Sequence, residues 1–328
     1  MATPVEGDSP IFIVGCTRSG TTLLRDLLRS HPRLTFPNES HFIPAFYRAY
    51  GDPQDQRQAV QLAEKILNFW WVRRWGMSLQ PSDFADCRSF REVLCRLYAA
   101  WARQENKPRW GDKTPYYILA IPLLVELFPA AKVIHVYRDG RDVALSWLRS
   151  RYDPCNLFMA ATFWKQRVNR GREAGAALPR ESYMEVRYEA LLAEPARTLQ
   201  AVCSFLGEAF DEALLRPTPL PGSTAPVPWR VRPASSTEIV PANAGKWKTQ
   251  MSAADRILFE SVAGDLLEAL GYETEGRRRH ISKAEEWMWR LHHHCGTLVR
   301  RLTVRSRRQQ LGADLRVRWA ELHARVRG

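Results

Sequence analysis

The 328-residue sequence lacks the cysteine and apolar patterns of several protein classes. Its six cysteines are scattered and include no Cys-x-x-Cys pair, so neither a zinc cluster nor a disulfide framework is indicated. No run approaches the roughly 18 apolar residues that a transmembrane helix needs. The first ten residues are polar and acidic and contain no apolar segment of the signal-peptide kind. We therefore expect reduced cysteines and a cytoplasmic protein.

Acidic residues are scarce near the C-terminus, and this scarcity explains most of the net charge of +13. Residues 276–328 contain 14 Arg or Lys against 4 Asp or Glu, which accounts for 10 of the 13 net charges. The rest of the chain is nearly neutral, so its function must rest on local sites rather than on a general polyanion-binding surface. Since no reader motif accompanies the basic residues, no nucleic-acid partner is expected.

Short β-prone runs alternate with helical patterns along the chain. Residues 11–14 precede a turn and a helix at 21–30, and residues 132–137 precede a turn and a helix at 142–149. A third strand is predicted at 183–188. The alternation predicts an α/β protein with a parallel central sheet, organised as a three-layer sandwich of the P-loop type.

Other patterns locate helices and an irregular segment. A mostly helical insertion is predicted at about 44–110, where Ser89 and Glu92 form a capping box before an apolar helix face. A later helix is predicted at 252–270, where Gly271 suits the left-handed position that follows a helix. Six prolines within residues 217–233 predict an irregular loop.

The segment Gly-Cys-Thr-Arg-Ser-Gly-Thr-Thr at residues 15–22 follows the first strand and opens a helix. Its backbone amides can converge on an anion at the positive end of the helix dipole. The glycine spacing matches the phosphate-binding loop GxxxxGK[ST], but Thr21 replaces the lysine and Arg18 supplies the charge. That exchange suits a donor with one singly charged transferable group, which needs no bridging magnesium. The alternative is a capped strand-to-helix turn.

A second anion site is predicted where the 132–137 strand ends. Arg138 follows the strand, and Ser146 lies on the next helix, so both can face the carboxyl edge of the sheet. A guanidinium and a hydroxyl at this edge suit a phosphate monoester. Taken alone, the pattern is more often a solvated basic turn.

Together the two segments, IFIVGCTRSGTTLL and VIHVYRDGRDVALS, resemble the 5′-phosphosulfate loop and the 3′-phosphate motif of the sulfotransferase superfamily. The motifs NESHFIP, GDKTP, VRYEALLAEP and GKW are most similar to the tyrosylprotein and bacterial carbohydrate sulfotransferase branch. The likeness covers about residues 10–271. It implies a sulfotransferase domain over 1–275 with the insertion on its acceptor side, and leaves a basic helical tail over 276–328. The implied donor is 3′-phosphoadenosine 5′-phosphosulfate (PAPS), used without a metal, and the implied acceptor is a hydroxyl of a carbohydrate, tyrosine, lipid or small metabolite.

The resemblance also assigns the donor-binding residues. For the 5′-phosphosulfate it implies Arg18, Ser19, Gly20, Thr21 and Thr22. For the 3′-phosphate it implies Arg138 and Ser146, with Lys246 closing over the same group and Tyr188 touching the adenosine. A basic residue that the family often has one turn after the serine is Ser150 here, and Arg149 or Arg151 are the substitutes.

Two charged residues are implied for the chemistry. Sulfuryl transfer needs an acceptor oxygen that loses its proton and positive charge on the oxygen that leaves. Glu39 in NESHFIP resembles the family's general base, and His41 is the alternative base. Lys113 in GDKTP resembles the lysine that stabilises the leaving oxygen; otherwise it is a surface lysine before a helix that starts with proline.

Two aromatic clusters have ordinary structural explanations. Trp70, Trp71 and Trp75 could form a wall for the acceptor, but tryptophans in a helix more often belong to the core. Three consecutive histidines at 292–294 point in different directions on a helix, so they cannot chelate one metal as an i, i+4 pair does.

Residues 283–303 predict a basic amphipathic helix. Such a helix can dock on the body of the protein, join copies of the chain, or lie on an anionic membrane, here the inner membrane face. Two rival functions remain open. A P-loop phosphotransferase would need the missing loop lysine and an acidic magnesium ligand, and a non-enzymatic adaptor would use the tail on a degenerate nucleotide fold.

Overall fold

Five parallel strands form a central sheet in a computed structural model that describes residues 6–150, 154–216 and 239–303. The strands are β1 (Glu6–Gly15), β2 (Leu34–Thr35), β3 (Arg109–Lys113), β4 (Lys132–Tyr137) and β5 (Tyr183–Arg187). Their order is β2-β3-β1-β4-β5, and each neighbouring pair is parallel. The predicted α/β class with a parallel sheet is therefore confirmed.

Helices connect the strands and follow the last one. They are α1 (Thr21–Arg29), α2 (Ile43–Tyr50), α3 (Gln56–Leu67), α4 (Trp70–Arg73), α5 (Phe90–Gln104), α6 (Ile121–Leu127), α7 (Gly140–Arg149), α8 (Leu157–Ala176), α9 (Tyr188–Ala193), α10 (Pro195–Leu206), α11 (Trp247–Gln250), α12 (Ala253–Ala269) and α13 (Lys283–Thr303). Among the residues that the structure describes, no helix is both long enough and apolar enough to cross a bilayer.

Strand β1 separates two hydrophobic layers because successive side chains of a strand point to opposite faces. Ile11 and Ile13 pack in a core with α1, α9 and α10. Phe12 and Val14 pack in a second core with α2, α3, α5 and α6. All four side chains are fully buried. A sheet with helices on both faces gives the predicted three layers.

The three predicted strands correspond to β1, β4 and β5, whereas β2 and β3 were not predicted. Residues 132–137 form β4, the first strand is longer than 11–14, and the third ends at Arg187 because Tyr188 already starts α9. Strand β2 has only two residues. Strand β3 is buried along its length although it contains Arg109 and Lys113, and this polarity conceals it from a search for apolar runs.

The predicted helix caps are largely present. Ser89 Oγ accepts a hydrogen bond from the Glu92 N–H at 3.1 Å, but the Glu92 carboxylate accepts from Arg88 N–H instead of Ser89 N–H, so the predicted capping box is only half formed. Ser252 caps α12, and Gly271 has the positive φ of 71° expected after its end. The predicted loop at 217–233 lies outside the described residues.

Helix α13 docks on the start of α8. The Asn156 side-chain amide donates to the carbonyl of Trp289 at 2.9 Å, and the Cys155 N–H donates to His293 Nδ1 at 3.2 Å. A side chain in place of Gly296 would meet Cys155 Sγ at 3.0 Å. The docking alternative for the tail therefore holds for one face of this helix, and His293 has a structural role.

The centre of β4 contains a fully buried histidine, His135, whose Nδ1 lies 2.6 Å from the Tyr183 hydroxyl. Burial, with a smaller contribution from Arg172, lowers the pKa of His135 from 6.5 to about 3 although Glu185 lies 3.9 Å away. The folded protein therefore holds this ring neutral between these two values, whereas the unfolded chain protonates it below 6.5.

We predict that His135 destabilises the fold as the pH falls below 6.5, by about 2 kcal/mol at pH 5. Urea unfolding of the wild type and of His135→Gln, at neutral pH and at pH 5, measures the effect. The variant should lose less free energy of unfolding on acidification, whatever its starting stability. Equal losses in the two proteins would show that the ring already carries a proton in the fold.

Candidate active site

The loop after β1 has the geometry of an anion cradle. Gly15 approaches β4 so closely that an added Cβ would lie 2.4 Å from the Val136 carbonyl oxygen, and Gly20 has φ 94° and would bring a Cβ within 2.1 Å of the Tyr188 ring. Ser19 is fully buried, and its Oγ has no hydrogen-bond partner within the described chain. A buried hydroxyl without a partner is suited to a ligand that enters this loop.

Arg18 connects this loop to the second predicted anion site. Its backbone is left-handed, with φ 74°, and its Nε donates to Ser146 Oγ on α7 at 2.8 Å. Beside it, Trp147 Nε1 donates to Thr17 Oγ1 at 2.9 Å. The two segments predicted to hold the 5′ and 3′ groups thus meet across the carboxyl ends of β1 and β4.

Arg138 follows β4 and faces the same cleft. Its guanidinium lies 4.7 Å from the centre of the Tyr188 ring, and its Nη1 donates to the Arg18 carbonyl at 3.3 Å. Its Nε is buried without a hydrogen-bond partner among the residues that the structure covers. Burial raises the pKa of Tyr188 although Arg138 opposes the shift, so the phenol stays neutral under the cation.

Asp142 links Arg138 to the GKW motif, and the sequence prediction missed it. One oxygen accepts the Gly245 N–H and the other the Trp247 N–H, each at 2.9 Å, while Arg138 Nη2 lies 3.2 Å away. Burial raises the pKa of Asp142, and Arg138 and the Trp247 amide oppose that shift. The signal was present as a second acid in Arg-Asp-Gly-Arg-Asp, four residues after Arg138.

Lys246 and Arg138 both donate hydrogen bonds to Asn243. Lys246 Nζ donates to the Asn243 side-chain oxygen at 2.7 Å, and Arg138 donates to the Asn243 backbone carbonyl. The three predicted 3′-phosphate residues are therefore linked to one another. Arg18 connects Ser146 with Arg138, and Asn243 connects Arg138 with Lys246.

Ser150 stands where the family often has a basic residue, and one of the two predicted substitutes contacts another residue. The Ser150 hydroxyl donates to the Trp147 carbonyl at 2.7 Å. Arg149 donates to the Gln250 side chain. Arg151 lies outside the described residues.

Lys113, at the end of β3, joins the loop to the predicted base. Its side chain is only 2% exposed, so it is not a surface lysine. Its Nζ donates to Thr22 Oγ1 at 3.1 Å and also to the Glu39 carboxylate. A buried ammonium between a hydroxyl of the anion loop and a carboxylate is well placed to meet a ligand that bridges the two.

Glu39 and His41, the two candidate bases, are in contact. The second oxygen of Glu39 lies 2.7 Å from His41 Nε2, and the His41 ring lies 4.4 Å from that of Trp71. Trp70 packs edge-on against Trp71, while Trp75 is buried in the core. Of the three tryptophans, therefore, Trp71 borders the candidate base and Trp75 belongs to the core.

Buried polar contacts hold the Glu39 loop in place. The Ser40 hydroxyl lies 2.6 Å from the Tyr117 hydroxyl, and the Ser40 N–H donates to Thr114 Oγ1 at 3.1 Å. Next to Lys113, Asp112 accepts from the Tyr98 hydroxyl at 2.5 Å, and burial raises the pKa of this carboxyl. The GDKTP segment therefore fixes both Lys113 and the loop that carries Glu39.

Comparison with known proteins identifies the family. A model of the Sulfotransferase family matches residues 10–212, well over half of the chain. The chain belongs to this family. Membership confirms the resemblance predicted from the two anion-binding motifs.

Relatives with assigned names include protein-tyrosine sulfotransferases. The chain is 24% identical over 288 residues to the Drosophila melanogaster protein, covering 85% of this chain and 54% of that one. It is also 24% identical to protein-tyrosine sulfotransferase A of Caenorhabditis elegans, covering 84% and 70%. The chain thus spans about half of the fly protein's length.

Solved structures share the fold. The sulfotransferase domain from the curacin biosynthetic pathway is 23% identical, with a TM-score of 0.58 over 84% of this chain and 100% of that domain. The sulfotransferase domain of the Synechococcus PCC 7002 olefin synthase is 24% identical, with a TM-score of 0.57 over 83% and 99%.

We predict that Gly20→Ala abolishes the anion cradle, because the new methyl group would collide with Tyr188. Gly51→Ala is the matched control, since Gly51 also has a positive φ but nothing lies within 4 Å of its Cβ position. Both variants should lose about 1 kcal/mol of stability from backbone strain. Calorimetry with adenosine 3′,5′-bisphosphate should show binding weakened at least tenfold in the first variant alone, and equal affinities would contradict the assigned contact.

Proposed function

We propose that this protein transfers a sulfuryl group from PAPS to a hydroxyl group of an acceptor. The observation that carries the proposal is the meeting of two anion sites, joined by the hydrogen bond from Arg18 to Ser146. One site is a helix N-terminus where the buried Ser19 hydroxyl has no partner among the described residues, and the other contains Arg138 over Tyr188. A donor with a 5′-phosphosulfate and a 3′-phosphate needs two such sites on one nucleoside.

In the proposed reaction Glu39 takes the proton of the acceptor hydroxyl. The acceptor oxygen forms a bond to sulfur while the bond from sulfur to the bridging phosphate oxygen breaks, and adenosine 3′,5′-bisphosphate leaves. Lys113 supplies positive charge to that leaving oxygen. Its contacts with Thr22 and Glu39 support this role, because they put the ammonium between the loop and the base.

Glu39 is favoured over His41 as the base because it touches Lys113 directly. His41 contacts only the far oxygen of the carboxylate among its described polar contacts, which suits a residue that orients Glu39. The exposed part of this pair, beside Trp71, is where we propose that the acceptor binds. Since the named relatives are protein-tyrosine sulfotransferases, a tyrosine-containing peptide is the first acceptor to test, before sugars, lipids and small metabolites.

The rival functions have less support. A phosphotransferase of the P-loop type would have a lysine where Thr21 stands. The lysine of this site comes instead from β3 and contacts Glu39. A non-enzymatic adaptor would gain little from burying Lys113 against Glu39, since the desolvation cost of a buried ion pair largely offsets the attraction between its charges.

We predict that Arg138→Ala removes the preference for adenosine 3′,5′-bisphosphate over AMP. A charge-assisted contact is worth about 1.5 to 3 kcal/mol, so the affinity ratio should fall about ten- to hundredfold. Calorimetry with both nucleotides, without magnesium, measures the ratio. Arg197→Ala, which removes an exposed arginine of α10, should leave it unchanged. A wild-type protein that binds both nucleotides equally would contradict the 3′-phosphate site.

We predict that Glu39→Gln lowers the rate of sulfuryl transfer about 10²- to 10⁴-fold while donor affinity changes little, because the amide keeps the shape but cannot take a proton. Single-turnover reactions with saturating donor measure the rate. Lys113→Ala should also slow transfer and weaken donor binding, whereas Glu64→Gln on α3 is the neutral control.

His41→Ala separates the two candidate bases. If His41 orients Glu39, the variant should be mildly slowed and Glu39→Gln severely. A wild-type rate in Glu39→Gln together with an inactive His41→Ala would make the histidine the base. A phenolic acceptor should show a smaller Glu39 effect than a sugar alcohol, since its hydroxyl has a pKa near 10 and needs less help.

A further inference from the structure

Helix α13 presents an apolar surface away from the body of the protein. Its docked side contains Trp289, His293 and Gly296, which contact the start of α8. Large apolar residues elsewhere on the helix are exposed, and we refer to four of them as the outer stripe. These are Trp287 at 66%, Met288 at 53%, Leu291 at 44% and Leu298 at 56% exposed.

The spacing of the outer stripe places three of its four residues on one side of the helix. At 3.6 residues per turn, Trp287, Leu291 and Leu298 fall within a sector of about 40°, and Met288 lies about 60° beyond it. The docked residues fall on the opposite side of the helix. The contacts with α8 therefore fix the stripe so that it points outward, and this is unusual for large side chains in a soluble protein.

Positive charge accompanies the stripe. By helical spacing, Lys283 and Arg290 lie along one of its borders, and both are exposed; Arg290 also pairs with Glu286 at 2.6 Å. The sequence from residue 300 to the end adds nine arginines against two acidic residues. An apolar strip with tryptophan, bordered by cations and set in a helix of low overall hydrophobicity, is the composition of a helix that lies in a membrane interface.

We propose that the outward face of α13 binds an anionic membrane surface. The outer stripe would enter the boundary between headgroups and acyl chains, and the basic side chains would remain at the lipid phosphates. Charge argues against a second copy of the chain as the occupant, because a symmetric contact would bring together two copies of a helix that has four basic residues against two acidic ones. A soluble polyanion would match the cations but would leave the stripe exposed.

Vesicle sedimentation of the full-length protein tests the proposal. Vesicles of equal parts phosphatidylcholine and phosphatidylglycerol should bind the protein at least tenfold more tightly than vesicles of phosphatidylcholine alone, and salt should weaken that binding. Leu291→Gln/Leu298→Gln should reduce binding to the anionic vesicles about tenfold or more. The matched control is Leu119→Gln/Leu148→Gln, which removes two leucines that are 48% and 40% exposed outside α13 and should bind as the wild type does.

Several results would overturn the proposal. One is a wild-type protein that does not sediment with anionic vesicles, and another is an equal loss of vesicle binding in both double variants. A third is full binding by Leu291→Gln/Leu298→Gln, which would show that charge alone causes the binding. Wild-type dimers that form without lipid and dissociate in Leu291→Gln/Leu298→Gln would identify a contact between copies instead. Should that variant melt at a lower temperature than the control, Trp287→Gln/Met288→Gln tests the same strip and must show the same loss of binding.

Discussion

The parallel register of β1 with its two neighbours is the constraint on which the whole site depends. It sets Ile13 opposite Lys113 of β3 and Gly15 opposite Val136 of β4. The loop after β1, the lysine that ends β3 and the arginine after β4 consequently emerge at one edge of the sheet, where open α/β sheets bind ligands. A slip of one residue in β3 would turn Lys113 to the other face. Gly15 protects the register on the other side, because any side chain there would strike the β4 backbone.

Asp142 likewise fixes the relative positions of residues that are far apart in the chain. Its two oxygens hold the amides of Gly245 and Trp247 next to Arg138, more than a hundred positions away. A buried carboxylate is favourable only when its hydrogen-bonding capacity is used. Here the same acid satisfies two backbone donors and a guanidinium, so the position of Lys246 follows from the helix that carries Ser146.

The sequence predicted those parts of the molecule that local patterns encode, namely the α/β class, the strand at β4 and the loop at 15–22. It could not predict β3, because a strand with Arg109 and Lys113 has no apolar alternation and is recognised only from what surrounds it. Glu39 contacts Lys113, and Arg138 contacts Asn243. The partners in each pair are far apart in the sequence, so the sequence alone does not show that they are close in space. Asp142 was overlooked for a related reason. Two of its partners are backbone amides, and any residue other than proline can supply a backbone amide, so no residue type in the sequence points to the contact.

Backbone strain marks the same site independently of any motif. Among the described residues other than glycine, φ is positive at Arg18, His41 and Asn106. Asn106 follows the end of α5, where asparagine adopts this conformation readily. Histidine at position 41 also adopts it more often than most residues do, whereas arginine at position 18 has no such tendency, and a strained position of this kind costs of order 1 kcal/mol or more. In these conformations the Arg18 side chain contacts Ser146 and the His41 side chain contacts Glu39. The fold thus keeps two uncommon backbone conformations, which direct a guanidinium toward Ser146 and an imidazole toward Glu39.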